Sequence, residues 1–309
     1  MFFLLLLLQF MLNQPALASD TLAGCPDKCG NITIPYPFGT ETGCYLSAGF
    51  RITCNTSYDP PKAFVTTTNI EITDISQDGT VVVNGYIARD CYKPLDLGPD
   101  IKNIWINVAG LPYSFSYTRN KFTALGCDTV ALNYEDSILD YSSGCVSYCN
   151  DLSSIVNGTC SGIGCCQTAI PKGLKRMETT LSSLRNHTAT WNVSPCSYAF
   201  LVDQQQFVFN VTDLNDFYMR KHVPVVMDWA IGSDTCEAAD ASGELACGVN
   251  SNCTNSTNGP GYRCICKSGY QGNPYLSHGC QGMEVVELPF DSSYFGCIHL
   301  HFYFMMMNY

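Results

Sequence analysis

Nineteen cysteines in 309 residues constrain this chain more than any other feature. Thiols at such density persist as disulfides only in an oxidising compartment, where cross-links stand in for part of a hydrophobic core. By position they fall into three sets of six. The first is Cys25, Cys29, Cys44, Cys54, Cys91 and Cys127; the second is Cys145, Cys149, Cys160, Cys165, Cys166 and Cys196. The third is Cys236, Cys247, Cys253, Cys264, Cys266 and Cys280, and Cys297 is left over. Even sets predict three closed disulfide frameworks, although spacing alone does not give the pairing. Adjacent Cys165 and Cys166 are expected to bond elsewhere, because neighbours rarely reach disulfide geometry.

The N-terminus agrees with an oxidising destination. Residues 2–12 are apolar apart from Gln9, and Ala16-Leu17-Ala18 offers a small-x-small cleavage pattern. The run is too short for a bilayer, which takes ~20 residues, so residues 1–18 read as a secretory signal peptide. Asn31, Asn55, Asn157, Asn186, Asn192, Asn210, Asn252 and Asn255 each head an Asn-x-Ser/Thr triplet. Together they predict a glycan-shielded surface on a secreted, extracellular glycoprotein. A formal charge of −11 argues against nucleic acid as a partner, and 46% hydrophobic against 14% charged residues argues against disorder. Residues 282–309 form an atypical tail. Its last dozen residues are apolar but too short to span a membrane, and the polar spacer of a glycolipid-anchor signal is absent.

Between leader and tail the chain reads as mainly β and disulfide-rich. In 20–130, Ile104, Ile106 and Val108 alternate with Trp105 and Asn107, and Tyr113, Phe115 and Tyr117 alternate with serines. Asp78-Gly79 between two β-prone runs signals a hairpin. Thr66-Thr67-Thr68 adds β-branched residues suited to a strand. In 131–231, Phe207, Phe209 and Val211 alternate as a strand would. Residues 174–184 fit two patterns: Leu174, Met177, Leu181 and Leu184 make a helical stripe, while Thr179 and Thr180 oppose it. Segment 232–281 has little hydrophobic sequence, so its stability must come from cross-links worth roughly 2–4 kcal/mol each.

That last segment carries the sequence's most specific motif. Cys236-x10-Cys247-x5-Cys253-x10-Cys264-x-Cys266-x13-Cys280, with Gly269-Tyr270 after the fifth cysteine, resembles an epidermal-growth-factor-like (EGF-like) module. The resemblance implies the bridges Cys236–Cys253, Cys247–Cys264 and Cys266–Cys280. Calcium-binding members place Glu or Gln directly before the first cysteine, where this chain has Thr235. Six residues, not four, separate Asn255 from Tyr262, so calcium is not expected in the module. A second resemblance begins with CPDKCGNITIPYPFG at 25–39 and continues through Gly43-Cys44-Tyr45, Arg51-Ile52-Thr53-Cys54-Asn55 and Arg89-Asp90-Cys91-Tyr92. It resumes at Gly164-Cys165-Cys166-Gln167-Thr168 and Ile170-Pro171-Lys172-Gly173-Leu174. These stretches resemble the ectodomain of plant wall-associated receptor kinases: a galacturonan-binding domain over 20–130, a second cysteine-rich segment over 131–231, then the EGF-like module. The resemblance covers roughly 24–281 and stops short of the membrane span and kinase of such receptors.

What this implies is binding of cell-wall pectin or oligogalacturonides, with other receptor ectodomains as further partners. The expected localisation is the cell wall, with membrane attachment in any longer form. A polyanion wants cations on one face, and Arg fits a carboxylate with both prongs. The candidates are Arg51, Arg89, Lys93, Arg119 and Lys121, with Lys62 beside them. The stretch Lys172, Lys175, Arg176 and Arg185 ranks second. Tyr36, Tyr45, Tyr92 and Trp105 are candidates for stacking on sugars. Residues 20–235 hold 14 Lys and Arg against 21 Asp and Glu, a formal −7, so attraction must be local or bridged by calcium. No resident cofactor or metal site is expected. Histidines and serines form no nucleophilic or metal-ligand motif, so no enzyme is expected. Two alternatives stand beside pectin binding: a protein- or peptide-binding receptor or decoy module, and a carbohydrate-active enzyme.

Overall fold

The computed structural model describes residues 20–66, 68–92, 101–135 and 142–283. The leader, Lys93, Cys297 and the tail beyond 283 lie outside them. Within the described residues the protein is a disulfide-rich β structure of three main sheets, a short ribbon pairing Lys28–Cys29 with Ile32–Thr33, and two short ribbons in the C-terminal module.

The largest sheet is antiparallel and six-stranded, in the order Ile52–Asn55, Lys62–Val65, Glu71–Ser76, Thr80–Gly85, Val223–Trp229 and Tyr113–Phe115. Its strands bury alternate residues. Ile52, Ala63, Val65, Ile72, Val81 and Val83 are all at most 2% exposed, while their neighbours face outward. Asp78-Gly79 closes the hairpin between Glu71–Ser76 and Thr80–Gly85, with Gly79 at φ 98°, a conformation glycine adopts without strain. Thr66 and Thr68 do not extend the ladder. Thr68 turns the chain, its hydroxyl donating to Val65 O at 2.9 Å and accepting from Ile70 N at 3.1 Å. Local hydrogen bonding by a short hydroxyl thus overrides β propensity there.

A four-stranded sheet orders Cys165–Ala169, Asn120–Leu125, Cys196–Asp203 and Ala88–Cys91. Every residue of Cys196–Asp203 is buried, because cores lie on both of its faces. The other four-stranded sheet orders Ser142–Tyr148, Asp128–Tyr134, Arg176–Ser182 and Asn103–Asn107. The ambiguous 174–184 stretch is therefore a strand: Met177, Thr179 and Leu181 face inward at period two, and Leu184 is 58% exposed. Phe207, Phe209 and Val211, in contrast, join no ladder. The backbone turns after Asp203, whose carboxylate accepts from Gln205 N and Gln206 Nε2. Phe207 and Phe209 then drop into the second core, against Phe200 and Phe217.

Nine disulfides link the described cysteines. The first two sets of six are not closed, since Cys91 bonds Cys196 and Cys127 bonds Cys149. The cause is topological: Ala88–Cys91 pairs with Cys196–Asp203, placing those sulfurs on neighbouring strands. Strand Asp128–Tyr134 runs across residue 130, and sheets draw strands from both sides of it. Cys25–Cys44, Cys29–Cys54, Cys145–Cys166 and Cys160–Cys165 complete the body. In the C-terminal module Cys236 bonds Cys253, Cys247 bonds Cys264 and Cys266 bonds Cys280. Thr235 caps the helix Cys236–Ser242, its hydroxyl accepting from Ala238 N. A helix cap explains a threonine at that position.

Candidate functional site

The outward face of the six-stranded sheet forms a polar groove of about 410 Å³. Register builds it. Thr53 pairs with Phe64 and Asn55 with Lys62, and Phe64 pairs with Glu71, so side chains from three strands align on one face. Asn84 and Tyr86 extend the row, and His222 closes one end. The aromatic wall consists of Tyr58, 46% exposed, with Phe64 at 6.1 Å between ring centroids and Tyr86 beyond. Tyr86 donates its hydroxyl to Asn69 O at 3.0 Å, and its ring meets His222 edge-on at 6.2 Å.

Lys62 is the cation at the groove's centre. Its Nζ contacts Glu71 Oε1 at 2.9 Å and lies 5.0 Å from the Tyr58 ring centroid. Burial alone would raise the Glu71 carboxyl, but hydrogen bonds from Lys62 and Asn84, with the positive fields of Lys62 and His222, hold it below the ordinary carboxylate value. The pair leaves the lysine partly exposed, with three donors and one committed carboxylate. Around His222 the groove meets a second depression of about 590 Å³, lined by Arg89, Arg220, Lys221, Ile101, Tyr218 and Met219 among others. Arg220 sits against Asp213 at 3.4 Å and over the Phe217 ring, while Lys221 is exposed. Together they make a continuous path with aromatic walls and several cations.

The sequence candidates scatter around this path. Arg89 lines the second depression. Arg51 is exposed where the first strand begins, bridged to Gly39. Arg119 is tied to the fully buried Asp203 at 2.6 Å and is part of the framework. Lys121 lies on the same face of its sheet as Arg89, but at the far side of the Tyr198–Phe200 aromatic cluster. The 172–185 stretch disperses as well. Lys175 donates to Leu111 O, with burial lowering its pKa, while Arg185 lies over the Tyr148 ring. Tyr36 and Tyr45 pack against the core, Tyr92 stacks on Trp191, and Trp105 is exposed on another sheet. Tyr58, Tyr86, Lys221 and His222 escaped sequence reasoning. The alternation of Lys62, Phe64 and Glu71 against Ala63 and Val65 was the available signal for the groove. Seven of the eight sequon asparagines are exposed; the eighth, Asn55, lines the groove itself. Among the described residues no group of three or more His, Cys, Asp or Glu gathers to hold a metal ion, and no helix is long and apolar enough to cross a membrane.

Comparison with known proteins bears on this face directly. The family model described as wall-associated receptor kinase galacturonan-binding matches residues 25–84, and the wall-associated kinase model matches residues 157–237. Wall-associated receptor kinase 5 of Arabidopsis thaliana is 40% identical over 267 residues, covering 84% of this chain and 34% of that protein. Wall-associated receptor kinase 2 of the same plant is 37% identical over 264 residues, covering 84% of this chain and 34% of that protein. Wall-associated receptor kinase 4 is 36% identical over 274 residues, covering 86% of this chain and 35% of that protein. The chain thus spans about a third of the length of the curated relatives it matches. No solved structure matches it. The chain carries the galacturonan-binding and wall-associated-kinase domains of the plant wall-associated receptor kinases, followed by an EGF-like module, and is homologous to those receptors over most of its own length.

Proposed function

We propose that the groove and the cationic depression beside it bind galacturonan, the acidic backbone of pectin, in a non-catalytic extracellular receptor module. One observation of placement carries the reading: Tyr58, Lys62, Phe64, Glu71 and Asn84 all line the groove and all fall within residues 25–84, the span of the galacturonan-binding match. A galacturonate unit offers a carboxylate and an apolar ring face. Lys62 suits the first, and the exposed Tyr58 ring suits the second. Further along the path, Lys221, Arg220 and Arg89 suit the carboxylates of successive units. The negative balance of the whole chain works against long-range steering, so short-range contacts supply the attraction. Among the described residues Glu71 is the only carboxylate lining the groove and is already paired with Lys62, which favours direct cation contacts over a resident calcium ion.

Titration calorimetry of the secreted glycoprotein with oligogalacturonides, in chelator and in calcium, tests this. Binding is expected in both arms and is expected to weaken with salt. Lys62→Ala and Lys221→Ala should each lower affinity several-fold and flatten the salt dependence. Asn55→Gln should leave binding equal or tighter by removing any glycan from the groove. A wild-type chain that ignores oligogalacturonides but captures a peptide or protein ligand would overturn the proposal. Shortening of the polymer during incubation would point to an enzyme instead.

A further inference from the structure

The sheet ordered Ser142–Tyr148, Asp128–Tyr134, Arg176–Ser182 and Asn103–Asn107 carries large apolar side chains on both of its faces. Its inner face buries Ile104, Ile106, Met177 and Leu181 in the core, with Thr129, Asn133, Ser147 and Thr179 packed among them. Its outer face carries Trp105 at 59%, Val146 at 51% and Leu132 at 45% exposure, with Tyr134 and Val130 half-buried. A one-sided antiparallel sheet ordinarily turns its larger apolar side chains to the core. Here a second set, Trp105, Leu132 and Val146, also faces solvent, as befits a contact surface.

The face itself limits what can cover it. Trp105 pairs with Glu178, and Glu178 pairs with Tyr134, so two rings stand in one cross-strand row with a carboxylate between them. Two strand spacings put those rings about 10 Å apart. The adjacent row reads Asn103, Thr180, Leu132 and Gly144, and the glycine leaves that end low and flat. Arg176 and Glu178 balance in charge, unlike the cation-lined path on the other sheet. Four strands of five to seven residues span a narrow platform of roughly 20 by 24 Å, a footprint that suits an extended chain. None of the eight sequons lies on these four strands. Rings spaced along a line with hydroxyl-binding groups between them suit a flat, extended ribbon of pyranose rings. Each aromatic would cover the C–H face of alternate sugars, while Glu178, Thr180 and Asn103 bind equatorial hydroxyls.

We infer that this outer sheet face is a second carbohydrate site, separate from the galacturonan groove, for an uncharged cellulose-type β-linked glucan. The test is affinity electrophoresis of the secreted glycoprotein through hydroxyethylcellulose, with calorimetry against cellohexaose. The wild type should be retarded, and Trp105→Ala should bind about tenfold more weakly, the scale of an exposed aromatic anchor. Trp105→Phe should keep most of the affinity, Tyr134→Ala should lose part of it, and oligogalacturonide titrations should be unchanged by any of the three. Unaltered melting temperatures exclude misfolding, as Trp105 is mostly in solvent. Absence of wild-type retardation would overturn the inference, as would retardation of Trp105→Ala equal to wild type. A concentration-dependent dimer in sedimentation that Trp105→Ala dissolves would overturn it too, by assigning the face to a second copy of the chain.

Discussion

Arg119 shows how a side chain's role is decided by a partner far away in sequence. As a cation beside Asn120 and Lys121 it reads as a ligand residue, and nothing local says otherwise. Asp203, 84 residues on, is fully buried and takes Arg119 Nη2 at 2.6 Å and Nε at 3.3 Å. Removing the arginine strands a carboxylate in the interior, which typically costs ~3–5 kcal/mol. The hydrogen bonds from Gln205 N and Gln206 Nε2 soften that loss. Arg119→Met should therefore lower the melting temperature strongly, whereas Lys121→Met should barely move it. A lower oligogalacturonide affinity for Arg119→Met at unchanged stability would refute the framework role. Groove residues were legible only in part for the same reason. Lys62 was visible as a charge and Phe64 as a strand residue, but His222 joins them through a strand pairing more than 130 residues away in sequence.

Among elements, local pattern succeeded where a strand had one wet face and failed where tertiary demand took over. Val81 and Val83 bury while Val82 and Asn84 do not, so the Asp78-Gly79 hairpin was plain from sequence. Residues 174–184 held two periods at once, and only the neighbours Asp128–Tyr134 and Asn103–Asn107 decide for the strand. Phe207 and Phe209 alternate convincingly, yet the second core needs their rings more than any sheet edge needs their backbone. The hairpin turn also reaches beyond its own sheet. A Cβ on Gly79 would run into the Arg263 guanidinium, and Arg263 donates to Asp78 O. Gly79→Ala combines this clash with a positive φ, a strain of order 1–3 kcal/mol. It should lower the melting temperature and speed proteolysis of the C-terminal module together. A loss of stability with unchanged module protection would mean that the Arg263 contact contributes nothing.

At the scale of the molecule, the cysteine count revealed an oxidised ectodomain but hid how its parts are joined. Sulfur spacing within 236–280 is local and readable, whereas Cys91–Cys196 spans 105 residues and follows from sheet order alone. Less visible still is that the EGF-like module is docked. Ile231 and Tyr262 bridge by backbone, Tyr275 packs on Trp229 at 5.6 Å, and Asn273 Nδ2 donates to Asp20 O and Tyr36 O. Burial pushes the Tyr275 hydroxyl up to about 12, against an ordinary value near 10. The folded state thus favours neutral tyrosine, so its contribution is complete below the ordinary value and is lost as pH rises towards 12. Chemical-denaturation midpoints read soon after a pH jump should fall across that window, and Tyr275→Phe should remove this part of the fall. Asn258 gives the sharper probe. It is 5% exposed, donates to Phe115 O at 2.9 Å and Asp228 Oδ2 at 2.7 Å, and accepts from Gly173 N at 2.7 Å. Asn258→Ala leaves those groups unpaired at an interface, a penalty of about 1–3 kcal/mol. The module's three disulfides keep it folded on its own account, so the loss should fall on docking. Small-angle scattering should then show a larger radius of gyration, and proteases should cut the connection between 231 and 236 faster, while Gln271→Ala, at an exposed site of the same module, changes neither. Unchanged dimensions and protection in Asn258→Ala would show that the module is held by its apolar contacts alone.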